Sequence, residues 1–123
     1  MAHDVDGFDV SYTSRTSWKA HVSRNGSVVA TAPVTWTKGT RKDPATGKWF
    51  QQVWFQNAGE LAAVNGSTDA FLVAVAEAHD YATHPHAFKH FNCIYEVRPT
   101  GKQVDQHSIE CEVLRRVTKA SAI

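Results

Sequence analysis

Apolar residues recur at alternate positions through much of the chain, which is the period of β-strands rather than helices. Residues 7–14, GFDVSYTS, set Phe8, Val10 and Tyr12 against polar neighbours and predict a first strand. Residues 16–24 and 27–36 flank Asn25-Gly26, the preferred pair of a type I′ hairpin, because both central positions need positive φ. That turn places Arg24 opposite Ser27 and Val22 opposite Val29. Pro33 has no N–H to give to a ladder, so the second strand is expected to lie at an edge there or to bulge. Residues 48–56, KWFQQVWFQ, put Phe50 and Trp54 on one face and Trp49, Val53 and Phe55 on the other, so both faces are expected to be partly buried. The preceding link, TKGTRKDPATGK, is polar and turns at Asp43-Pro44, which predicts a projecting hairpin arm.

The pattern then changes. Ala58 to Val64 predicts a short helix stopped by Asn65-Gly66. A longer helix is expected over about 68–82, where Phe71, Val75 and His79 form one stripe that Leu72, Val73 and Ala76 broaden. Ser67 or Thr68 would cap it, Asp69 suits the positive end of its dipole, and Pro85 ends it. Strands over 88–97 and 103–117 close the chain around Pro99-Thr100-Gly101, a three-residue loop with glycine in the left-handed region. This register pairs Arg98 with Lys102, Tyr95 with Asp105 and Cys93 with His107, and sets Cys111 opposite Lys89. The buried face would carry Phe91, Cys93, Tyr95, Ile109, Cys111 and Val113, and the two cysteines would remain free thiols. The expected architecture is one α+β domain over 1–123, mainly antiparallel β, a sandwich or half-barrel with the 68–82 helix packed on the sheet.

Composition narrows the function. A chain of 123 residues can bury its own core without disulfides or a metal, and a net charge of +1 provides no global field for nucleic acid or an anionic membrane. No apolar run approaches the roughly 18–20 residues of a membrane span, and the opening MAHDVDG is not a secretory signal. A soluble protein made in the cytoplasm, with no membrane partner, is expected.

Two segments carry candidate chemistry. His79, His84, His86, His90 and Cys93 fall within fifteen residues, in a chain with seven histidines. A trio of His79, His84 and His86 would suit zinc, which takes about four nitrogen or sulfur ligands. The spacing lacks H-E-x-x-H and paired C-x-x-C, and His90 and Cys93 alternate to opposite strand faces. A pH-sensitive contact and a solvated, non-functional segment are the other readings of these histidines. Glu77, His79 and Asp80 would serve acid–base chemistry or simply line an outer face. No serine or cysteine stands in a nucleophile elbow, and no glycine-rich phosphate cradle occurs. The second segment is the arm: Lys38, Arg41, Lys42 and Lys48, with Trp36, Trp49 and Trp54 around it. Lysines that neutralise phosphate beside rings that stack bases would bind single-stranded nucleic acid. Asp43 and the near-zero net charge weigh against that; the other readings are a solvated arm with its tryptophans in the core, or an assembly contact made by Lys38, Arg41, Lys42, Lys48, Trp49 and Trp54.

Three families bear comparison. FLVAVAEAHDYATHPHAFKHFNCIYEV resembles pterin carbinolamine dehydratase, but Thr83 precedes His84-Pro85 where that family has a histidine pair, so the activity does not carry over. VSYTS, a hairpin and then QNAGELAAV, with Glu60 as the helix acid, is similar to the ribonuclease H fold. Ser14 stands where that family needs its first aspartate, and a two-metal site cannot form without it. A small sandwich with a hairpin arm, one helix and a closing hairpin ending in a cysteine-bearing strand resembles phage tail-tube subunits. That resemblance implies no catalytic residues and no cofactor, and makes the arm at 38–48 and the strand at 48–56 contacts between copies. The resulting expectation is a non-enzymatic structural protein that self-associates through edge strands and the arm, as a virion or tail component would. A small binding module or enzyme built on the histidine segment, with zinc as its cofactor, and a nucleic-acid-binding protein are the alternatives.

Overall fold

The computed structural model describes residues 2–5, 7–14, 19–36, 40–76 and 91–117. Nine strands and one helix follow in the order β1 (Ala2–Val5), β2 (Phe8–Ser14), β3 (Lys19–Arg24), β4 (Ser27–Trp36), β5 (Thr40–Lys42), β6 (Trp49–Trp54), α1 (Ala58–Asn65), β7 (Phe71–Ala76), β8 (Phe91–Gln103) and β9 (Ser108–Arg116). The strands form a single sheet in the order β1-β2-β3-β4-β7-β8-β9-β6-β5. Adjacent pairs are antiparallel except β4 and β7, which run parallel. The class is α+β, mainly antiparallel, as the alternation predicts.

The sheet is strongly curled. β1 and β8 stand five places apart in the order, which in a flat sheet would separate them by about 24 Å. Yet Val5 of β1 shares one buried cluster with Ile94 of β8, together with Phe8, Val10, Ala20, Val22, Ala32, Val34, Ala74 and Val117. The wing β1–β4 therefore folds over one face of β7 and β8. On the other face a second cluster joins Val53, Phe55, Leu61, Val73, Val75, Cys93, Val97, Ile109 and Cys111. Leu61 brings α1 into that cluster. The helix starts at Asn57, whose side chain accepts from the Glu60 N–H at 3.0 Å, and the Gly66 N–H bonds the Ala62 carbonyl at its end. Its short span 58–65 matches the sequence expectation.

The 68–82 helix is not there: Phe71–Ala76 is strand β7, and 77–82 lie outside the described residues. The cause is burial on both faces. Val73 and Val75 face one core and Ala74 the other, so the strand reads as a continuous apolar run without alternation. Among the described residues the single helix, packed on the sheet, is α1 instead.

The Asn25-Gly26 turn forms as expected, with φ of +54° and +81° and Arg24 opposite Ser27. A bulge then sets Val22 opposite Ala30 rather than Val29. Pro33 lies on an interior strand, where β4 changes neighbours: it is the last residue paired with β3, and Val34 begins the ladder with β7. A residue without an N–H suits that handover.

The closing hairpin has a different register from the one its glycine suggests. Val97 pairs with Val113 and Pro99 with Cys111, ten residues along from the three-residue-loop alignment. Pro99-Thr100-Gly101 is instead an irregularity inside β8, with Gly101 at φ +90°. The chain reverses at Asp105, whose carboxylate accepts from the His107 N–H at 2.8 Å while the Val104 N–H bonds the Ser108 carbonyl at 2.9 Å. An even displacement preserves the faces, so Cys93, Ile109 and Cys111 are buried as expected, with Tyr95 and Val113 packed beside them. Both cysteines are free thiols.

Candidate interface at the β5–β6 hairpin

The link expected to project as an arm forms a hairpin at one end of the sheet. The Asp43 N–H bonds the Lys48 carbonyl and the Gly47 N–H bonds the Asp43 carbonyl, each at 2.8 Å. The Asp43 carboxylate also accepts from the Ala45 N–H and the Thr46 hydroxyl, each at 3.0 Å. Gly47 holds φ +75°, which an L side chain rarely adopts. The turn is thus bonded throughout, and the two strands pair Thr40 with Gln51, Arg41 with Phe50 and Lys42 with Trp49.

Alternation then sends successive cations to opposite faces, each against a ring. The Arg41 guanidinium lies 5.0 Å from the Phe50 centroid, and the Lys42 ammonium 5.9 Å from that of Trp49. Arg41 also donates to the carboxylate of Glu110, reaching across β6 to β9, and Lys48 stands 3.8 Å from Glu112. Two of the arm's cations therefore face carboxylates of the same chain. Trp49 remains 48% exposed, one of four large apolar residues that the described surface exposes.

A buried amide anchors this edge. Gln51 is fully buried and shares a face with Val53. Its side-chain N–H₂ donates to the Thr35 hydroxyl at 2.9 Å and to the Gln52 carbonyl at 3.1 Å, and its oxygen accepts from the Thr40 hydroxyl. Thr35 in turn donates to the Gln52 carbonyl at 2.6 Å. One side chain thus ties β4, β5 and β6 together. Strand parity already places Gln51 beside Val53, a signal that attention to the aromatic residues alone passes over.

Trp54 packs against the first core and stacks on His107, with ring centroids 5.2 Å apart, away from Trp49. Lys38, His79, His84, His86 and His90, with Glu77 and Asp80, lie outside the described residues. Among the described residues no group of three or more His, Cys, Asp or Glu converges as metal ligands would. Burial pushes the Cys111 thiol up to about 12 and raises Cys93 as well, so both are protonated at neutral pH and poor nucleophiles. A cleft of about 230 Å³ beside Arg41, Phe50, Lys102, Val104 and Glu110 is smaller than the ~300 Å³ at which drug-sized ligand pockets begin. No helix among the described residues is long and apolar enough to cross a membrane. No protein-family model matches the chain, and no curated protein or solved structure matches it significantly.

Proposed function

We propose that this protein is a non-enzymatic assembly subunit that self-associates through the ends of its sheet, with the β5–β6 hairpin at the contact. The observation that carries this reading is Trp49: a half-exposed indole, set by a fully bonded turn at a sheet end. Tryptophan and arginine are the residue types that most often dominate interface energies. Holding them in place beforehand lowers the ordering cost of association, and here Arg41 is fixed by Phe50 and Glu110. A virion or tail component is the kind of particle that such subunits build.

Nucleic-acid binding ranks below assembly, because Arg41 and Lys48 already face Glu110 and Glu112. A duplex or single strand would have to displace those carboxylates before releasing counterions. The test of the assembly reading is Trp49→Ala, followed by light scattering on a size-exclusion column. The substitution weakens self-association at least tenfold and shifts the melting temperature by no more than about 4 °C, as a surface change of about 1 kcal/mol allows. Association unaffected by loss of the indole overturns the proposal.

A further inference from the structure

Glycine follows asparagine at two places in the chain, Asn25-Gly26 and Asn65-Gly66. In such a pair the glycine nitrogen, unhindered by a side chain, can attack the asparagine side-chain carbonyl carbon. The new N–C bond closes a five-membered imide as the C–N bond of the amide breaks and ammonia leaves. Water then opens the imide to aspartate or to isoaspartate. The step needs a glycine nitrogen that can give up its proton, an asparagine free to turn about ψ, and access for water.

The fold withholds all three from Asn65. It ends helix α1, and the Gly66 N–H is bonded to the Ala62 carbonyl at 3.0 Å. Turning the Gly66 nitrogen toward the Asn65 side chain would break that last turn. The Asn65 amide donates to the Gly101 carbonyl at 3.4 Å, and its side-chain oxygen is buried. Asn25 stands at the tip of the β3–β4 hairpin, where both it and Gly26 are exposed. Among the described residues no acceptor holds the Gly26 N–H, and a Cβ built on Gly26 meets nothing within 4 Å. Asn25 is also the one non-glycine residue among those described with positive φ, at 54°, a region that side chains other than those of asparagine and aspartate rarely enter.

We infer that Asn25 is a site of spontaneous deamidation, with water as the co-reactant, and that the same dipeptide at Asn65 is protected by the fold. Conversion replaces an amide by a carboxylate and takes the net charge of the chain from +1 to zero. The two products act differently on the hairpin. Aspartate keeps the turn, since Asp-Gly also suits a type I′ pair. Isoaspartate carries the main chain through the former side chain and adds one backbone carbon, which disturbs the alignment of Arg24 with Ser27. The damage stays local, because Val28 and Val29 beyond the tip are already exposed while Val22 and Ala32 lie deeper in the core.

The test is incubation of the folded chain and of the chain in concentrated guanidinium chloride, at mildly alkaline pH and body temperature. Digestion and mass spectrometry then follow the amide-to-acid mass gain at each asparagine, and chromatography separates aspartyl from isoaspartyl peptides. In the folded chain Asn25 converts at least tenfold faster than Asn65. In guanidinium chloride the two convert at similar rates, which shows that the fold and not the flanking sequence makes the difference. A folded chain in which Asn25 stays intact while the denatured chain converts overturns the proposal, and so does equal conversion of Asn25 and Asn65 in the folded chain.

Discussion

Thr35 on β4 and Gln51 on β6 share a hydrogen bond of 2.9 Å, although three other strands stand between theirs in the sheet order. In a flat sheet those strands would lie about 19 Å apart. The bond therefore marks where β4-β7-β8-β9-β6 curls back on itself, closed at this point by side chains. Gln51 also accepts from Thr40, so the same amide sets the register of the edge strand β5. The proposed contact surface and the closure of the fold depend on one buried residue.

Gln51→Ala should cost about 2–4 kcal/mol of stability, because it opens a cavity and strands the Thr40 and Thr35 hydroxyls. Gln52→Ala, at the exposed neighbouring position, should stay within about 0.5 kcal/mol. Urea unfolding of both variants checks the contrast. Equal, small losses would mean that the amide does not close the curl.

Much of this architecture is legible in the sequence where one face of a strand is wet. Phe8 and Val10, the Asn25-Gly26 turn and the 58–65 helix all follow from local pattern. Legibility fails where tertiary structure buries both faces. Phe71–Ala76 has no polar face to give away its period, so its apolar run fits a helix stripe as well as a strand. The closing hairpin fails for another reason: Gly101 does take positive φ, but positive φ serves a bulge as readily as a turn. The polar side chain that makes the real turn, Asp105, leaves a weaker signal. At the hairpin arm, the sequence shows the cations and the indole but not their partners. Glu110 and Glu112 are some seventy residues away and meet Arg41 and Lys48 only once β9 pairs with β6.

Gly101 supplies a second prediction. A Cβ built there meets nothing within 4 Å, so any cost of substitution comes from the backbone alone. Gly101→Val should lose about 1–3 kcal/mol through its strained φ of +90°. Gly101→Asn should lose less, since asparagine tolerates the left-handed region best among the other residues. Thermal melts of the two variants give the order directly, and a valine variant as stable as the parent would remove Gly101 from any conformational role.

The buried thiols make the fold sensitive to alkali. Burial raises Cys111 from 9.0 to about 12, and burial raises Cys93 and Tyr95 too. A group whose pKa is higher folded than unfolded holds its proton longer in the native state. Its contribution is complete below pH 9 and declines as pH rises from there toward 12. For each such group the decline reaches about 1.4 kcal/mol per pH unit while only the unfolded form has ionised. Denaturant midpoints should be insensitive to these groups from pH 6 to 8 and fall above pH 9, less steeply in Cys111→Ala. Stability that rises from pH 9 to 11 would contradict the burial of both thiols.

The most direct measurement of self-association is sedimentation velocity of the unaltered chain from low to high micromolar concentration, at 0.1 M and at 1 M salt. The account predicts a weight-average mass that climbs past twice the 13.6 kDa of one chain as concentration rises. A single 13.6 kDa species at every concentration and both salts would contradict it.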